Sequence, residues 1–138
     1  MMKTCAVFLF CFLLISISFA AEKQEADNLL LKEMAALDKA FKATLDAVIL
    51  NQPGRVAPAY EEVEKIRKQM EQHILAGKKI TLPKNQDLFK VFIRMDNRFH
   101  RDVEVLVEAS VKGNMRTVQR QTYRLMQHCV KCHYLFRK

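Results

Sequence analysis

Sustained strand-like alternation is missing from this 138-residue chain, as are internal repeats and low-complexity tracts. Their absence excludes a sheet-based fold and a repeat architecture. Glycine and proline are scarce, three of each, and they fall where long periodic segments break off or begin. Cysteine is limited to four residues. Cys5 and Cys11 belong to an N-terminal apolar stretch and the other two stand close together near the C-terminus, so no disulfide framework staples the fold. A spanning apolar run is lacking too, because Ala6 to Phe19 is shorter than the ~20 residues a transmembrane helix needs.

That apolar run nevertheless has a purpose. Lys3 gives it a positive start, Ser18-Phe19-Ala20 offers small residues at cleavage offsets, and Glu22-Lys23-Gln24-Glu25 follows directly. The pattern is that of a secretory signal peptide over residues 1–20, cleaved near Ala20, leaving one domain over 21–138 with no transmembrane anchor. Neither Cys5 nor Cys11 stands where a lipoprotein cysteine belongs. The net charge is +8, and without Lys3 the mature chain keeps 22 basic against 15 acidic side chains. These cations are scattered instead of forming a stripe interleaved with aromatics, so the expected partner is an acidic protein or an anionic membrane face and not nucleic acid.

Four helical segments account for nearly all of 21–138. The first, Glu22 to Asn51, sets Leu30, Met34, Leu37, Phe41, Leu45 and Val48 three and four apart, one apolar stripe, and Asn51-Gln52-Pro53-Gly54 ends it. The second starts near Pro58, carries Tyr60, Val63, Ile66, Met70 and Ile74, and stops at Gly77. After a connection containing Pro83, the third opens at Asn85 or Gln86 with a stripe of Leu88, Phe92, Met95, Phe99, Val103 and Leu106. Gly113-Asn114 precedes the fourth, whose stripe is Val118, Thr122, Leu125, Cys129, Cys132 and Phe136. Four such helices with short connections predict an all-α, antiparallel up-down-up-down four-helix bundle, with cofactors held between facing helices in the core.

The most specific signal lies on the last helix. Cys129-Val130-Lys131-Cys132-His133 spells C-x-x-C-H, the attachment sequence of a c-type haem. Two thiols three residues apart meet two vinyl groups on one porphyrin edge, while the adjoining imidazole reaches the iron. Both cysteines fall on the inward stripe of their helix, so the haem edge is expected to point into the bundle. An export signal and thiols confined to the motif agree with it, because c-type haem is attached outside the cytoplasm. In an up-down bundle His133 shares one end with Met34, Met70, His73 and Met95, the candidates for the second axial position.

The stretch Cys129 to Arg137, C-x-x-C-H-x-x-F-R on the last of four helices, resembles the class II cytochromes c, the family of cytochrome c-prime and its low-spin relatives. The likeness covers 21–138 in architecture and, in residues, Cys129, Cys132, His133, Phe136 and Arg137. The pattern departs at Val130, where many members carry a basic residue directly after the first cysteine. The resemblance implies one covalently bound haem c per chain in a periplasmic electron carrier, not an enzyme. It also implies His133 and Met34 as axial iron ligands, since Met34-x-x-Leu37-x-x-x-Phe41 looks like the methionine-bearing first helix of low-spin members. The alternative is a cytochrome c-prime whose sixth position is open and binds small gases such as nitric oxide. Redox partner proteins and homodimers, common among relatives, are the implied partners.

The remaining residues have plainer readings. Met70 and Met95 pack in the core, as do Phe41, Phe92 and Phe99, and the pocket edge is their second role. His73 and His100 are expected at the solvent edge, and His128 pointing away from the ring. Arg137 either pairs with a propionate or is a solvated terminal charge. Two rivals compete for the motif itself. A zinc site from Cys129, Cys132, His133 and His128 or His100 is disfavoured, because neighbours on one helix close a tetrahedron badly. A thiol–disulfide oxidoreductase wants its C-x-x-C at a helix N-terminus beside a strand, and neither is present.

Overall fold

The computed structural model describes residues 29–137, so the leader at 1–20 and the expected helical start at Glu22 lie outside the described residues. Among the described residues the fold is all-helical, with no strand. α1 covers 29–49, a single turn α2 covers Val56–Ala59, and α3, α4 and α5 cover Glu61–Leu75, Phe89–Val111 and Met115–Phe136. Pro58 therefore lies in the short turn, and the continuous second helix begins just after it, with Glu61, Glu62 and Glu64 in its first turn against the helix dipole. No described helix is long and apolar enough to cross a membrane.

Three helix ends stop by one device. Asn51, Gly77 and Gly113 adopt left-handed backbone, with φ of 52°, 75° and 67°. At each, the next residue's N–H reaches back five positions: Gln52 to Ala47 O at 2.8 Å, Lys78 to His73 O at 3.2 Å, Asn114 to Ala109 O at 2.9 Å. This capping motif satisfies carbonyls the helix leaves without partners, and glycine and asparagine are the residues that enter it most cheaply. Asn114 serves twice, because its Oδ1 also accepts the Thr117 N–H at 3.1 Å and so caps the start of α5. Replacing Asn114 with alanine is expected to lower stability by about 1 kcal/mol, read as a shifted urea midpoint at unchanged slope.

Two apolar clusters fill the interior. One gathers Ala40 and Ala47 of α1, Val56, Tyr60, Val63, then Val103, Leu106 and Ala109 of α4 and Val118 and Leu125 of α5. The other gathers Leu29 and Leu30, Met70, Ile80 and Leu82, Phe92 and Phe136. Pairings between α4 and α5 run in opposite order: Asp102 meets Arg124 at 3.2 Å, and Phe92 meets Phe136 edge-on at 5.5 Å, so these two helices are antiparallel. The long connection is pinned, not loose. Gln86 accepts the Leu82 N–H at 2.7 Å, and Asn85 donates to the Leu135 carbonyl at 2.7 Å, tying the connection to the end of α5.

The α5 stripe is inward over its full length, but the α1 stripe is rotated from expectation. Glu33, Ala40, Thr44 and Ala47 are its most buried positions, whereas Met34, Leu37, Phe41 and Val48 are half-buried and Leu45 is exposed. Small residues bring α1 close to its neighbours. Thr44 satisfies its hydroxyl on the Ala40 carbonyl at 2.9 Å and lies 3.5 Å from the Tyr60 hydroxyl. Burial, against the effect of that contact, pushes the Tyr60 phenol up to about 12.

Candidate haem pocket

The half-buried face of α1 borders a cavity of about 260 Å³ shared with α4 and α5. Met34, Cys129, Cys132 and His133, the four residues singled out in the sequence, all line it. Leu37 and Phe41 from α1 and Phe92, Met95 and Phe99 from α4 supply its other apolar lining. The outward rotation of the α1 stripe is thereby explained, since its large apolar side chains border this space instead of filling the seam. Asp38, Asp96, Arg98, His128 and Lys131 complete the lining and bring charge to it.

The four singled-out residues differ in setting. Cys129 and Cys132 are half-buried and not joined in a disulfide. Burial pushes both thiols up, Cys132 to about 11 with a further push from the Asp96 carboxylate. The pair lies in the last turns of α5 and not at a helix N-terminus, where the dipole would lower a thiol pKa. His133 is exposed yet contributes to the lining, and Met34 is half-buried. Among the described residues, no three of Cys129, Cys132, His133 and His128 bring ligand atoms within 4.8 Å of one another. The tetrahedral zinc alternative therefore has no assembled ligand set.

The histidines correct the expectations set by the sequence. His100 and His73 are buried, 1% and 6% exposed, where solvent-edge positions were expected. His128 lines the cavity and lies 3.6 Å from Asp102. Burial, followed by the cationic neighbours Arg98, Arg124 and Lys131, lowers its pKa against the opposing pull of Asp102. Met95 lines the cavity as well as packing in the core, whereas Met70 belongs to the core alone.

A group the sequence reasoning missed adjoins the pocket. Glu33, beside Met34, is 2% exposed, and its Oε1 lies 3.1 Å from His100 Nε2, which is also 3.6 Å from Asp96 Oδ1. Burial alone would lower the His100 pKa, but the carboxylates of Asp96 and Glu33 outweigh it and raise the value to about 9. The i,i+4 spacing of Asp96 and His100 was a readable signal; the partner across the bundle was not. Compared with protein-family models, curated proteins and solved structures, the chain matches none of them.

Proposed function

We propose that the chain is an exported, mono-haem c-type cytochrome that carries electrons, built as an up-down-up-down bundle. The observation that carries this reading is convergence: both thiols of C-x-x-C-H, its histidine and Met34 of another helix line one largely apolar cavity. The residues fit a covalent haem. Two neutral thiols suit addition to vinyl groups, an imidazole and a thioether suit the iron, and Phe41, Phe92 and Phe99 suit a porphyrin face. The second apolar cluster supports the bundle topology, because it joins the start of α1, the end of α3, the start of α4 and the end of α5.

Haem bound here supplies one-electron redox chemistry. In this reading Cys129 and Cys132 would attach the group, His133 and Met34 would hold its iron, and the aromatic wall would keep water from it. A soft thioether would favour the ferrous state and raise the potential. Electron carriage is then the natural task, and the class II cytochromes c are the family the arrangement fits.

The outer surface supports a partner of defined chemistry. α5 contains no acidic residue, and exposed Arg116, Arg120, Arg124 and Lys131 gather on it beside Tyr123, Val130 and Tyr134, a concentration that the scattered cations of the sequence did not suggest. An acidic redox protein fits that face, and its electron exchange with this chain is expected to slow as ionic strength rises. Stopped-flow rates that are flat from low to physiological salt would remove this partner.

The deciding experiment is expression of the full chain with a cytochrome maturation system. The mature protein should gain the mass of one haem and keep its colour through denaturation and acid–organic extraction. A colourless protein of unmodified mass would overturn the reading.

A further inference from the structure

Glu33 of α1 and Asp96 and His100 of α4 form a cluster that haem attachment does not use. Each offers one ligand atom, and these atoms lie within 4.8 Å of one another. One separation falls in the span of ligands around a small cation, and the other, a hydrogen bond, is slightly shorter. Donors about 2.0–2.2 Å from a tetrahedral zinc ion stand roughly 3.3–3.6 Å apart. Here His100 Nε2 lies 3.1 Å from Glu33 Oε1 and 3.6 Å from Asp96 Oδ1.

Charge points the same way. Two carboxylates bring two negative charges beside the His100 ring, in a site where the Glu33 and His100 side chains are 2% exposed, and a metal would displace the proton that this ring otherwise holds. A proton on His100 cancels one of them, whereas a divalent ion cancels both and satisfies all three donor atoms. Asp96, at 23% side-chain exposure, is the least buried of the three side chains. Carboxylates and an imidazole projecting inward from two helices of a bundle make a donor set suited to first-row divalent ions.

We propose that Glu33, Asp96 and His100 form a binding site for a divalent transition-metal ion of the zinc class, held between α1 and α4, with a further coordination position left to water. The site uses none of the four residues assigned to the haem, although Asp96 lines the same cavity.

Zinc itself is the probe. Chelator-stripped mature protein is titrated by calorimetry, with Cys129 and Cys132 consumed by haem or, in haem-free material, alkylated, so that failure of haem attachment cannot mimic failure of this site. One zinc per chain is expected, with an X-ray absorption shell of oxygen and nitrogen only and one imidazole. E33Q and D96N should each weaken binding by about 100-fold or more, beyond what loss of a supporting hydrogen bond costs. Should either variant fail to fold, the wild-type absorption shell still decides. Absence of zinc at one equivalent, sulfur in the shell, or full affinity in both folded variants would overturn the site.

Discussion

With haem bound as proposed, replacing Met34 with alanine is expected to convert a low-spin spectrum into a high-spin one and to create a binding position for carbon monoxide. Met34 is half-buried on α1, and within its helix it shares the cavity wall with Leu37, Asp38 and Phe41. Leucine and phenylalanine carry no donor for iron, and Asp38 is exposed and paired with Lys42 at 2.6 Å. Removing the thioether therefore leaves α1 without a soft ligand, and the reduction potential should fall with it. Met95 is the necessary control, since it also lines the cavity but from α4. Met95→Ala should leave the spectrum low-spin. If Met95→Ala makes the switch and Met34→Ala does not, the ligand comes from α4. A wild-type protein already high-spin and reactive with carbon monoxide would instead establish the open-site alternative, with Met34 as wall.

What the sequence made legible follows from what periodicity measures. The α5 stripe from Val118 to Phe136 is correct along its length because its apolar residues pack directly on α4 and on the cavity. Breaks at Asn51, Gly77 and Gly113 were readable because left-handed backbone strongly favours those residue types. α1 misled because the count weights large apolar side chains. Its closest packing is made by Ala40, Thr44 and Ala47, while Met34, Leu37 and Phe41 face a space that a fully packed core would not contain. His100 and Glu33 were invisible for another reason. Each is costly to bury alone, and their burial makes sense only as a pair whose members stand 67 positions apart.

That pair sets the largest expected change in stability. The His100 pKa is raised from 6.5 to about 9, so the folded state holds its proton more tightly than the unfolded chain does. The stabilisation is complete below the unfolded value, where it is on the order of 3 kcal/mol, and most of it remains at pH 7. It disappears as pH climbs through 9, because deprotonation leaves both carboxylates facing a neutral imidazole. In chelator-treated protein, Glu33→Ala should cost about 2 kcal/mol at pH 6, a share of the whole, because Asp96, the larger of the two influences that raise the His100 pKa, stays in place. At pH 10 the same substitution should cost about 1 kcal/mol or less, since the carboxylate it removes no longer has a cation to meet. Glu33→Gln keeps the shape and a hydrogen-bond acceptor, so it separates charge from contact by flattening the pH dependence with a smaller loss at pH 6. Urea unfolding from pH 6 to 10 measures all three proteins, and a Glu33→Ala deficit of constant size across that range would show that the pair contributes packing and no charge interaction.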